Sequence, residues 1–277
     1  MGRDPSTVAY VADLARSRTF YRDTLGLSVQ DISEDSAIVE PDGWPLLLAG
    51  SLAGKHGAIV PVKTGGTIHR FSSDIDSLAR RIRDCGGEPN LHETDWGDRT
   101  LTVTDPDGYV VSFWTAPERS IEQTIALYAS GPDALERAIA GLSDEALSWK
   151  PSADEWSVRE IVHHIVDSDA TALFRVKMAL AEPGRVMLGN PYQPDTWASS
   201  LDYNQRELAP ALSLLRATRQ HILQLLDHLP DAMERTVSSP DGEHTTVETF
   251  ISMLASHLMI HVQQINDVLG KQRHSDN

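Results

Sequence analysis

The sequence predicts an α+β chain: paired βαβββ units followed by an all-α four-helix bundle. Three observations predict it. Residues 1 to about 117 alternate short strand-like runs with two helical segments, whereas residues 120–277 carry almost only helical periodicity. The first half repeats itself at a spacing of about 60 residues. Near the C-terminus, His257 and His261 stand four apart in an apolar stripe, and at about 100° per residue Phe250, Leu254, Ile265 and Val268 share their face.

The N-terminal elements follow in order. Val8–Leu14 leads into a helix ending near Leu25-Gly26, then strand-like runs at Ser28–Ile32, Ala37–Glu40 and Pro45–Leu48. The second copy opens at Thr67–Ile75 and its helix ends near Gly86-Gly87. Strands follow at Arg99–Thr104 and Tyr109–Trp114, joined by the turn Asp105-Pro-Asp-Gly108. A proline at Pro117 marks the boundary.

Four helices are predicted beyond it. They cover about Ile121–Gly141, Ser157–Ala181, Gln205–His228, and from Thr245 to near Gly270. Ser157-Val-Arg-Glu160 and Thr245-Thr-Val-Glu248 have capping-box spacing. The loop from Glu182 to Tyr203 is long for a bundle, which points to a lid or a binding loop.

Composition narrows the function. The chain has 277 residues, enough for two domains, and a formal net charge of −16, which opposes binding to nucleic acid. Cys85 is the only cysteine, so no internal disulfide forms, consistent with a reducing compartment. No signal-like start and no apolar run of about 20 residues is present, so a cytoplasmic protein without membrane contact is expected.

Two imidazoles one helical turn apart can hold one divalent metal, and a third ligand is offered by His163 or His164 on the second helix. These two flank the stripe of Val158, Ile161, Val162, Ile165, Leu173 and Val176 on opposite sides, so periodicity leaves the choice open. Three neutral imidazoles leave the metal an open position, the layout of a catalytic rather than a structural site. Around it, Asp167 is a possible partner for a ligand imidazole, and Arg175 and Tyr192 are possible substrate contacts. Trp156 is read as a hydrophobic staple, and His221 and His228 as ordinary histidines. No catalytic Ser/His/Asp set and no cofactor-binding glycine loop is evident, so catalytic residues stay unassigned.

Two resemblances follow from these residues. Phe20-Tyr-Arg-Asp-Thr-Leu-Gly-Leu27 together with Asp105-Pro-Asp-Gly108 resembles the glyoxalase/bleomycin-resistance/dioxygenase family, the vicinal oxygen chelate fold, over residues 1–117. That family's metal ligands do not carry over. Ser6, Thr67, Ser112 and about Leu47 stand at the expected positions, with His69 two residues from rescuing one of them. A metal-free N-terminal domain is expected.

Trp156–Asp169, Phe174–Leu180, Pro191-Tyr192 with Trp197, and His257-x-x-x-His261-Val-Gln-Gln-Ile265 resemble the DinB/YfiT-like family over residues 120–277. The resemblance implies a four-helix bundle, commonly a homodimer, with a three-histidine zinc or nickel site. It maps the ligands onto His164, His257 and His261, since Ile165-Val-Asp-Ser168 follows His164 as the family's short run follows its ligand. It also implies a metal-dependent enzyme acting on a small-molecule substrate. The resemblance implies chiefly a thiol-dependent S-transferase, with a low-molecular-weight thiol as co-substrate, or a hydrolase, with a thiol-dependent isomerase also in the family. The alternative is a sequestering resistance protein that binds its ligand in the N-terminal domain and dimerises through the bundle.

Overall fold

The computed structural model describes residues 7–40, 45–50, 60–61, 67–115, 118–153, 155–187, 192–240 and 242–275. The chain divides into two compact units, Met1–Glu118 and Arg119–Asn277, so Arg119 falls in the second.

In the first unit β1 (Thr7–Tyr10), α1 (Leu14–Thr19), β2 (Val29–Ser33), β3 (Ser36–Val39), β4 (Leu46–Ala49) and β5 (Val60–Pro61) precede β6 (Thr67–Phe71). Then come α2 (Ile75–Asp84), β7 (Asn90–Glu93), β8 (Arg99–Thr104) and β9 (Val110–Trp114). The repeat is structural. α1 and α2 are each capped by an aspartate, Asp13 and Asp74, whose side chain accepts a backbone N–H of the first turn. The opening strand of each copy pairs in parallel with its last, β1 with β4 and β6 with β9. The sheets run β2-β3-β4-β1-β5 and β6-β9-β8-β7.

Alternation along the strands sorts their side chains. Ala9, Val11, Leu46 and Leu48 join Ile68, Ile82, Leu101 and Phe113 in one core shared by both copies. Val8, Leu47 and Ala49 form a small separate apolar cluster on the other side of β1 and β4. The two motifs that carried the first resemblance meet here. Tyr21 Oη donates to Asp105 Oδ2 (3.0 Å), while Asp105 Oδ1 accepts the N–H groups of Asp107 and Tyr109. Gly108, at φ +88°, turns the chain where a side chain would be strained.

In the second unit α3 (Ile121–Ile139), α5 (Val158–Ala181), α7 (Leu208–His228) and α8 (Val247–Ser275) build the bundle. Around it the neighbours run α3, α8, α5, α7 and back to α3. Short α4 (Asp144–Ser148), α6 (Pro194–Ser200) and the hairpin β10 (Thr236–Ser238)–β11 (His244–Thr246) complete it. Ser157 and Glu160 form the expected capping box on α5. The second expected box does not form. Thr245 is drawn into β11 opposite Val237, and Thr246 caps α8 instead by accepting the Thr249 N–H (3.0 Å). Ladder pairing satisfies Thr245's backbone, and the cap moves one residue on.

The bundle core is split in two along its length. Tyr128, Val176, Ile222 and Phe250 belong to one apolar cluster, and Leu135, Ile161, Leu215 and Leu258 to the other. On α3, α5 and α7, Gly131, Asp169 and Arg219 fall between those levels, with Asp169 and Arg219 each about 1% exposed. Arg219 holds Asp169 in a two-pronged ion pair (2.7 and 3.1 Å) and donates to the carbonyls of Tyr128 and Leu254. Pro132 explains the first of those carbonyls. Proline lacks the N–H that would bond residue 128 one helical turn back, and Arg219 Nη1 supplies the missing donor at 2.8 Å. Gly131 makes room, because a Cβ there would stand 2.3 Å from that nitrogen.

Candidate metal centre

α5 and α8 lie side by side, and the stripe read from sequence faces inward: Phe250, Leu254, Ile265 and Val268 are buried. His257 and His261 share that stripe and are half-buried, and His164 on α5 is buried. The three imidazoles converge. His257 Nε2 lies 3.1 Å from His164 Nε2 and 3.1 Å from His261 Nε2. Nitrogens bound to one ion at about 2.1 Å, at right to tetrahedral angles, stand roughly 3.0–3.4 Å apart. The group is the only such cluster of three metal-ligating side chains among the described residues.

The surrounding hydrogen bonds decide which nitrogen faces inward. The Asp167 carboxylate can only accept, so Tyr203 Oη donates to it. With its proton committed, the Tyr203 hydroxyl stands beside that of Tyr192 and can only accept from it. Tyr192 Oη then accepts from His164 Nδ1–H at 2.9 Å. On α8, His261 Nδ1 donates to the Gln264 carbonyl oxygen at 2.7 Å. Both imidazoles therefore turn Nε2 lone pairs toward His257. In the ion-free form the His257 Nε2 proton is shared with those lone pairs; deprotonated, the same three nitrogens stand at the spacing that one divalent ion requires.

Electrostatics agree. Burial, then the nearby His261, pushes the His164 pKa down to about 3. Burial also holds His257 well below its ordinary value, with His261, His164 and the Arg219 charge adding to it, and lowers His261. Neutral imidazole is the form that ligates.

His163 is placed elsewhere. It is buried, its Nε2 faces the Arg206 carbonyl at 3.4 Å, and its ring packs on Tyr203 at 5.3 Å. Asp167 does not touch a ligand imidazole directly, as the sequence had suggested; it reaches His164 through Tyr203 and Tyr192. Tyr192, from the long loop after α5, is a partner of His164, with the rings stacked at 5.8 Å. Trp156 is more than a staple, because its ring lies 4.7 Å from that of His164 and 6.4 Å from that of His261. Arg175 borders a pocket of about 140 Å³ that also reaches His257.

In the N-terminal unit, Ser6 lies outside the described residues, and Thr67 is exposed. The strand register sets Val110 opposite Thr67 and Ser112 opposite His69. Leu47 pairs with Val8 within the small apolar cluster. A wide hollow of about 840 Å³ beside Ser77, Arg81 and Phe113 lies away from these strand positions.

Residues 126–265, half of the chain and including all three histidines, match the DinB superfamily. The chain belongs to the DinB superfamily. Residues 5–113 match the glyoxalase/bleomycin resistance protein/dioxygenase superfamily, so this DinB protein is a fusion with that fold. A relative from Oceanobacillus iheyensis, named "Putative metal-dependent hydrolase", is 31% identical over 142 residues, covering 51% of this chain and 81% of its own. One of the same name from Geobacillus thermodenitrificans is 27% identical over 171 residues, covering 60% and 95%. Among solved structures, Bacillus subtilis YfiT is 24% identical, covers 55% of this chain and 86% of its own, and superposes with a TM-score of 0.49. A lactoylglutathione lyase from Agrobacterium tumefaciens is 19% identical, with 41% and 92% coverage and a TM-score of 0.35.

Proposed function

We propose that the bundle of this DinB protein is a metal-dependent enzyme in which His164, His257 and His261 hold one divalent ion, zinc or nickel. The observation that supports this most is the convergence of three Nε2 atoms, two of them oriented by Nδ1–H bonds to Tyr192 and Gln264. Three neutral nitrogens would leave a bound ion its full positive charge, so it would lower the pKa of a water or thiol beside it. The chain's own residues do the rest. His164 is kept in one tautomer by the relay through Tyr192 and Tyr203 to Asp167, and Trp156 packs beside two of the imidazoles. The relatives' names favour water as the nucleophile, hence hydrolysis; a low-molecular-weight thiol is the second nucleophile that suits the site, giving S-transfer.

The deciding experiment strips the full chain with chelator, restores zinc or nickel, and follows two reactions in parallel. One is hydrolysis of model esters and amides; the other is conjugation of thiols to a model electrophile. Metal-dependent hydrolysis without conjugation is expected for the hydrolase, and the reverse for the transferase. If neither appears while a small ligand binds tightly with the histidines replaced, a sequestering role of the N-terminal unit takes its place.

A further inference from the structure

Beside the histidine cluster, a shallow groove runs between α5 and α8. Thr171 and Arg175 line it from α5, and Phe250, Leu254 and His257 from α8. His257 stands at one end and Phe250 two turns away, a span of about 10 Å at 1.5 Å rise per residue. The Arg175 guanidinium lies over the Phe250 ring, 5.1 Å from its centre. Its volume of about 140 Å³ is comparable to the cavity of about 150 Å³ that holds a benzene molecule.

Arg175 differs from three other sunken arginines that are paired with carboxylates. Arg219 is matched by Asp169, Arg70 by Glu40 and Arg159 by Asp144. Arg175 is half-buried, its Nε is shielded without an acceptor, and no carboxylate among the described residues pairs with it. In a chain of 40 acidic and 24 basic residues, a guanidinium left without a carboxylate is conspicuous. Burial lowers its pKa, and no neighbouring anion offsets that cost. A planar fork of donors over an apolar floor is suited to a carboxylate, which it can grip with two parallel bonds. A single guanidinium and a small groove suit a monoanion.

We propose that Arg175 is the carboxylate-binding end of the substrate groove, so that the substrate is a small amphipathic carboxylic acid whose far end reaches the three-histidine centre. The proposal rests on the metal-enzyme reading above only for what happens at that far end. The acid's apolar segment lies along Phe250, Leu254 and Met253, and Arg175 fixes its direction.

The test uses the full-length protein, metal-loaded and metal-stripped, with hexanoate and its neutral counterpart hexanamide, followed by ligand-observed NMR titration. Hexanoate affinity is expected to fall about tenfold or more in Arg175→Met, which keeps the apolar stem, and to be partly kept in Arg175→Lys. Hexanamide should bind all three equally. Arg175→Gln serves if the methionine variant fails to fold. Undetectable hexanoate binding to wild type, or equal effects on acid and amide, overturns the proposal. Hexanoate binding that vanishes on stripping yet ignores Arg175→Met also overturns it, because the carboxylate then sits on the metal, and the metal reading survives. Arg175-dependent binding in a chain that takes up no metal upholds the proposal and ends the metal reading.

Discussion

At the scale of single residues, the histidines make separable predictions. His257→Ala and His164→Ala should each lose most bound metal by elemental analysis, whereas His163→Ala should keep it, since His163 faces the Arg206 carbonyl. Retention of metal in His257→Ala, or loss only in His163→Ala, would contradict the assignment. Tyr203→Phe breaks the relay while leaving all three ligands in place, and metal affinity should drop about tenfold, read by competition with a chromogenic chelator. The metal-free protein should weaken in acid. His164 takes up its proton near pH 6.5 when unfolded but only near 3 when folded, so stability present above pH 6.5 is lost between those limits. The slope is about 1.4 kcal/mol per pH unit per histidine, measurable by urea unfolding at pH 7 and pH 5. A flat profile would mean that the imidazoles are not held neutral. Much of this site was legible in sequence: the i,i+4 pair and its apolar face were plain, and Gln264 stands at i+3 from His261, where a side-chain partner belongs. Trp156 was not, because nothing local brings an indole before α5 onto an imidazole two turns inside it. The choice of His164 over His163 came from resemblance; periodicity had left it open.

At the scale of elements, the layer of Gly131, Asp169 and Arg219 joins α3, α5, α7 and α8. Asp169→Ala strands a buried guanidinium and should cost about 3–5 kcal/mol, whereas Arg219→Met with Asp169→Leu should recover part of that loss. Gly131→Ala should destabilise by about 1–3 kcal/mol, because its Cβ displaces Arg219 Nη1. Denaturant melts of the three variants check both statements; unchanged midpoints would show that the layer carries little of the fold. Sequence held a hint of it. Leu215, Arg219 and Ile222 keep helical spacing, so the arginine sits on an apolar face, but its partner on α5 lies 50 residues away and only packing selects it. The hairpin before α8 was missed for a related reason. Strands of three residues have too little alternation to read, and a capping pattern at Thr245 competed with them.

At the scale of the whole chain, the two units should differ in metal content. The bundle holds the cluster of three histidines, and the expected ligand positions of the other fold carry Thr67, Ser112 and Leu47. The full protein should therefore bind one ion per chain, and the full-length double variant His164→Ala/His257→Ala essentially none. About one ion retained by that double variant would place a second site in residues 1–118, with His69 the first residue to test. The repeat and the switch from strands to helices were visible because period-two and period-3.6 patterns differ sharply. The strand register was not visible: a slip of two residues leaves every side chain on its face, so alternation alone cannot separate Thr67 from His69 opposite Ser112.

The indole of Trp156 gives the centre an optical signature. Nickel, with its open d shell, quenches indole emission at close range, whereas zinc, with a filled one, does not. With its ring 4.7 Å from His164, Trp156 should thus brighten, dim or shift as the ion is added, removed or exchanged. Occupancy could be followed in real time without a label, and Trp156→Phe should remove most of the change while the other five tryptophans still emit.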